Sequence, residues 1–145
     1  MSHVTRIISI KSDPTKIMDY ISRVSNHPAF ISALKSIHDL EGDERVIGTS
    51  WSWTFTMGGV ELNGKSETTE YQPGKIFAYK TSGEAESKFT YSVEAEADGS
   101  RLTMDVEYAT PSGVLAKLAD ATVIERLNEQ EADHAVENLK AILEG

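Results

Sequence analysis

Apolar and polar residues alternate along much of the chain, and helical spacing replaces the alternation in two regions. The clearest alternating run is Trp51-Ser52-Trp53-Thr54-Phe55-Thr56-Met57, with large apolar residues at every second position and hydroxyl residues between them. Such a run is a strand with one dry and one wet face. Phe89, Tyr91, Val93 and Ala95 repeat the pattern, as do Leu102, Met104, Val106 and Tyr108, while Phe77 and Tyr79 share one face of a shorter run. Val60 to Tyr71 is more polar and contains Gly64, which predicts a bulge or sharp bend. Turn signals at Glu41-Gly42-Asp43, Gly58-Gly59, Gln72-Pro73-Gly74-Lys75, Ser82-Gly83-Glu84 and Asp98-Gly99 separate these runs. Five turns join six strands from Lys35 onward, and Val4 to Ile10 adds a strand at the start.

The first helical region follows Ser12-Asp13-Pro14, an N-cap pair and a proline suited to the first turn. Ile17, Met18, Ile21 and Val24 give one apolar face over Pro14 to Val24. Asn26-His27-Pro28 restarts the signal, with Ala29, Phe30, Ala33 and Leu34 on a second small face. The other region follows Thr110-Pro111-Ser112-Gly113 and is rich in Ala, Leu, Glu and Lys. One helix of about 30 residues, roughly 45 Å long, is expected there. Val114, Leu115, Leu118 and Ala121 are apolar near its start, and Ala132, Ala135, Val136, Leu139, Ile142 and Leu143 near its end. Asn128-Glu129-Gln130-Glu131 interrupts the stripe, so the helix exposes that turn, bends there, or aims polar groups at a cavity.

Composition narrows the chemistry. At 145 residues one domain over 1–145 is expected, with a single core and no linker. There is no cysteine, so disulfides, thiolate metal sites and thiol nucleophiles are excluded. The formal charge is −9 and the basic residues are scattered, which argues against nucleic acid as a partner. No apolar run approaches the roughly 20 residues that span a bilayer, so stable membrane insertion is not expected. The first residues match no targeting pattern, and a cytoplasmic location is the simplest reading. No glycine-rich phosphate loop, nucleophile elbow or zinc spacing is present, and no cofactor or metal is expected.

Strand, two short helices, six-stranded meander and long closing helix is the order of the helix-grip proteins. The chain resembles the START-like (SRPBCC) superfamily, in its polyketide cyclase/dehydrase and lipid-transport branch. The residues that carry the resemblance are Ile8-Ser9-Ile10 leading into Asp13-Pro14, Tyr20-Ile21, Asn26-His27-Pro28 with Phe30, Gly48 before the Trp51 strand, Tyr71-Gln72-Pro73-Gly74, and the ending Glu137-Asn138-Leu139-Lys140-Ala141-Ile142-Leu143-Glu144. The resemblance implies an α+β fold of the Bet v 1-like type, a curved seven-stranded antiparallel sheet gripping the C-terminal helix. It also implies a tunnel between them for a small hydrophobic molecule such as a lipid, polyketide or quinone.

The side chains expected to contact such a ligand are Trp51, Trp53 and Phe55 on one strand, then Phe77, Tyr79, Phe89, Tyr91, Met104 and Tyr108 on the strands that follow. Phe30, Leu34 and Leu118 are candidates to close the mouth. Each has the alternative of packing the core. The histidines at 3, 27, 38 and 134 show no ligand spacing; His27, before Pro28, is the best placed for the cavity mouth and equally suits a loop or helix cap. Glu125, Arg126, Asn128, Glu131 and His134 either form a solvated helix face or project into the tunnel. Three functions remain open: a binding or carrier protein, a cyclase or dehydratase that needs a titratable group deep in the pocket, and an interaction module whose cavity is filled by its own side chains.

Overall fold

In the computed structural model, which describes residues 2–109 and 120–145, the alternating segments form seven strands: β1 (Ser2–Ile10), β2 (Leu34–His38), β3 (Ser50–Met57), β4 (Val60–Gln72), β5 (Ile76–Gly83), β6 (Ser87–Glu96) and β7 (Gly99–Tyr108). They make one antiparallel sheet in the order β1-β7-β6-β5-β4-β3-β2. Strands β2 to β7 run as the expected meander, and β1 pairs with the outside of β7, Val4 opposite Val106. Gly58 and Gly59, at φ 59° and 82°, supply the two left-handed residues that a tight β3–β4 hairpin requires.

Helix α1 (Pro14–Ile21) begins as its sequence requires. The Asp13 carboxylate accepts the Lys16 backbone N–H at 2.8 Å, and Pro14 sits in the first turn, where its missing N–H costs nothing. The helix ends three residues before the expected Val24. Arg23 is extended, Val24–Asn26 make one 3-10 turn, and the Asn26 side chain donates to the Tyr20 carbonyl at 2.9 Å. Helix α2 (His27–Phe30) is shorter than expected as well, because Ile31 turns extended. The Ala33 carbonyl accepts from Thr56 N at 2.8 Å and Leu34 faces Phe55. Pairing with β3 overrides the helical spacing there.

Gly64 does not mark the bulge expected of it. The β4 register shift lies between Thr68 and Glu70. At Gly64 the requirement is close approach: a Cβ would lie 2.3 Å from Cζ2 of Trp53 and 2.2 Å from the Ser82 carbonyl oxygen. The missing side chain lets the Trp53 indole lie across the strand.

Helix α3 (Ala121–Glu144) is capped by Asp120, which accepts from Val123 N at 2.9 Å. Val114, Leu115 and Leu118 lie outside the described residues. The helix buries Ile124, Ala132, Ala135, Val136, Leu139 and Leu143 and packs on β1 and α2. Ala121 and Ile142, expected on the apolar stripe, are exposed. Polar contacts fix the helix in place: Arg6 Nε donates to Asp133 at 2.5 Å, Asn138 Nδ2 to the Phe30 carbonyl at 3.2 Å, and Lys140 Nζ to the Ser9 carbonyl at 2.9 Å. Glu131 accepts from Ser32 Oγ at 3.1 Å and from Ala33 N at 3.2 Å, tying the helix to the α2–β2 link.

Replacing Gly64 by alanine is expected to destabilise the fold by about 1–3 kcal/mol through overpacking against Trp53 and the Ser82 backbone. Urea unfolding followed by tryptophan fluorescence measures this; an unchanged midpoint would contradict the packing described.

Candidate functional site

The register divides the inner face of the sheet into rows. One row runs Tyr71, Phe77, Tyr91, Met104 and Arg6 across β4, β5, β6, β7 and β1. The next runs Thr68, Tyr79, Phe89, Val106 and Val4, and the third runs Trp51, Ser66, Thr81, Ser87, Tyr108 and Ser2. The third row has small hydroxyl residues between Trp51 and Tyr108, so side chains do not fill the space above it. A cavity of about 220 Å³ occupies that end of the sheet.

Trp51, Trp53, Phe55 and Met57 of β3 form one wall, Leu62 and Ser66 of β4 continue it, and Tyr79, Thr81, Phe89, Val106 and Tyr108 form the other. His27, Ile31, Leu34 and Ile37 come from the α2–β2 side, and Ile124 and Asn128 from α3. The β5–β6 hairpin, Gly83 to Ser87, completes the lining and brings in Glu84 and Glu86, both exposed. Glu84 is held by a double tie to β4, accepting from Asn63 N at 2.8 Å through its carboxylate and donating its own N–H to the Asn63 carbonyl at 3.1 Å. The Thr81 and Ser87 hydroxyls bond each other at 2.6 Å.

The structure thus brings Leu34, Trp51, Trp53, Phe55, Tyr79, Phe89 and Tyr108 together around the cavity. Phe30, Phe77, Tyr91 and Met104 are buried but do not line it. Phe77, Tyr91 and Met104 share strand faces with the lining residues and sit one row further along, where α1 packs on β5 and β6, and Phe30 of α2 packs edge-on against Tyr91. Leu118 lies outside the described residues. Of the polar helix residues only Asn128 reaches the cavity; Glu125, Arg126 and His134 are exposed, and Glu131 serves the α2–β2 link. Leu62 and Val106 were readable from strand alternation. The hairpin residues were not, because a turn has no period.

His27 is not a mouth residue. It is 1% exposed and sits in the cavity wall at the junction of three elements. Its Nε2 bonds the Ile21 carbonyl at 2.8 Å. Its ring stacks on Tyr79 at 5.5 Å and meets Phe30 edge-on at 5.3 Å. Burial lowers its pKa from 6.5 to about 4, against the opposing pull of the Ile21 bond. At neutral pH it is an uncharged ring, Nε2–H donating to Ile21. Burial raises the Tyr79 phenol well above its ordinary value, with Tyr91 adding to the effect, and Tyr91 and Tyr108 are raised by burial too. The inner wall is therefore neutral at physiological pH, and the carboxylates that border it, Glu84 and Glu86, are both exposed.

One polar cluster lies elsewhere. His3, Asp105 and Glu107 converge on the outer face of β1 and β7, with ligating atoms within 4.8 Å of one another. His3 pairs with Asp105, which also accepts from Thr5 Oγ1 at 2.8 Å. Sequence spacing hides this group because it spans two strands far apart in the chain. No described helix is long and apolar enough to cross a membrane.

The chain belongs to the polyketide cyclase/dehydrase and lipid transport family, whose model matches residues 1–144. A search of curated protein sequences returns no match. Among solved structures it is similar to the Zhui aromatase/cyclase from Streptomyces sp. R1128, at 11% identity and TM-score 0.81 over 99% of this chain and 93% of that one. It is similar to TTHA0849 from Thermus thermophilus, at 13% identity and TM-score 0.79 over 97% and 95%. The Aha1 dimer from Colwellia psychrerythraea follows at 15% identity and TM-score 0.65 over 99% and 97%. These likenesses establish the helix-grip fold.

Because His27 is neutral in the fold and takes up a proton more readily when unfolded, stability is full above about pH 6.5 and falls as pH drops toward 4. Between pH 7.5 and 5 the loss from this group is about 2 kcal/mol. His27→Gln keeps a donor for Ile21 and does not titrate. Urea midpoints at the two pH values should differ less for this variant than for the wild type; equal pH dependence would show that His27 is not held neutral.

Proposed function

We propose that the protein binds one small apolar molecule in the cavity between the sheet and α3, as a carrier or binding protein. The unfilled, aromatic-walled space of about 220 Å³ carries this reading. An interaction module of this fold would have this end of the sheet filled by its own side chains, and the space among the described residues supports the binding reading instead. Burial supplies the affinity, at about 25 cal/mol per Å² of apolar surface removed from water, and the hydroxyls, Asn128 and the indoles supply orientation.

A second reading, a cyclase or dehydratase in the same cavity, is favoured by the family and by an ionisable residue, His27, in the wall. The protonation states weigh against it. A histidine lowered to about 4 is a weak base at neutral pH, and its Nε2 is committed to Ile21. Tyrosines raised by burial are weak acids.

N-phenyl-1-naphthylamine, a neutral dye that brightens in apolar surroundings, tests the binding reading. The wild type is expected to enhance its fluorescence at one site per chain. Ala85→Trp, on the hairpin that lines the cavity, should weaken binding by at least tenfold with little change in melting temperature. Saturable binding that is insensitive to Ala85→Trp would place the dye elsewhere and contradict the proposal.

A further inference from the structure

Strand β1 ends the sheet, so one side of its backbone has no strand neighbour among the described residues. Alternate residues of a strand send their N–H and C=O groups to opposite sides. The Ile10 carbonyl lies against Gly99 of β7, close enough to collide with a Cβ there. The even-numbered residues of β1 therefore face β7, and Thr5, Ile7 and Ser9 face the open edge. Charged side chains take three groups along that edge. Arg6 Nη1 donates to the Thr5 carbonyl at 2.9 Å, Lys140 Nζ donates to the Ser9 carbonyl at 2.9 Å, and the Lys11 N–H donates to the Glu144 carboxylate at 2.8 Å.

One polar stripe of α3 organises these contacts. Asp133, Lys140 and Glu144 are spaced seven and four residues apart, which puts them on the same helix face. Asp133 accepts from Arg6 Nε at 2.5 Å and so holds the guanidinium beside Thr5, and Glu144 accepts from Lys140 Nζ at 2.7 Å. The apolar side chains of the same half of the helix already dock it on β1. Ion pairs as exposed as these add little to stability, so the stripe is better understood by what it covers.

The covered strand is self-complementary. Ile7, at its centre, is 62% exposed. A second β1 set antiparallel to the first, with Ile7 opposite Ile7, brings Thr5 opposite Ser9 at both ends of the pair. Isoleucine then meets isoleucine and hydroxyl meets hydroxyl, both favourable cross-strand pairs. The ladder in that register uses the Thr5 and Ser9 carbonyls, the two that Arg6 and Lys140 occupy. An open strand edge is a template for pairing with another chain, and inward-turned charges are one way of closing it. A two-fold pair of this kind closes on itself as a dimer.

We infer that the Asp133, Lys140 and Glu144 stripe of α3, together with Arg6, guards the β1 edge and keeps one molecule from adding its β1 strand to that of a second copy. The edge fits another copy of this chain, and the guard holds it closed. The cavity and its ligand play no part in this.

Lys140→Ala/Glu144→Ala removes two of the guarding side chains at helical positions that alanine suits. Sedimentation velocity should show this variant dimerising at least about tenfold more tightly than the wild type, the worth of one freed edge contact. Amide hydrogen exchange reads where the copies meet: Thr5, Ile7 and Ser9 should exchange freely in the wild type and become protected as the variant dimerises. Adding Ile7→Lys, which sets like charges opposite each other across the two-fold, should return the variant to a monomer. Should the double variant fail to fold, Lys140→Ala alone is read in the same way. A variant as monomeric as the wild type, a dimer that leaves those three amides unprotected, or a dimer undiminished by Ile7→Lys overturns the inference. A wild type that dimerises as tightly as the variant overturns it as well.

Discussion

Among the described residues, helix α3 presents too little apolar surface to cover the inner face of a seven-stranded sheet, and the cavity follows from that mismatch. Its buried stripe is dense from Ala132 to Leu143 and thins to Ile124 and the half-buried Asn128 toward the start. Where the stripe is dense, the helix packs on β1 and α2, and Leu139 is fully buried. Where it thins, the sheet meets the helix across space. The short segment α1 to α2 covers Phe77 and Tyr91, and the cavity begins one row beyond them.

Two features of the sheet turn that uncovered area into a shaped pocket. Ser66, Thr81 and Ser87 lie between Trp51 and Tyr108 in one row and occupy little volume. Gly64 lets the Trp53 indole lie against the strand rather than across the opening. Packing to the density of an ordinary interior would need larger residues at these positions. His27 links the two ends. It is anchored to the last residue of α1, and its ring touches both the core cluster and the cavity wall. Kept neutral by burial, it serves the architecture better than it would serve proton transfer.

The strands and their dry faces were readable because alternation is a local property, and Trp51, Trp53 and Phe55 could be assigned to one face without any structure. How far along the face a residue sits is a property of register. Phe77 and Tyr79 are two residues apart on one strand with the same parity, yet Phe77 packs the core and Tyr79 lines the cavity. The same holds for Tyr91 and Phe89. Leu34 shows the limit of helical spacing: the pattern suited a helix, but Ala33 and Leu34 pair with β3, and a long-range contact decided the local structure. His27 was misplaced at the mouth because nothing in Asn26-His27-Pro28 reports burial.

The proposed function requires that the space above Ser66 and Thr81 be held for a molecule other than the protein. The most direct measurement is native mass spectrometry of the protein isolated from its own host, with any bound molecule released and identified. A stoichiometric small apolar adduct that dissociates on activation is expected. A clean mass without adduct, together with no thermal stabilisation across a panel of lipids, quinones and polyketides, would contradict it.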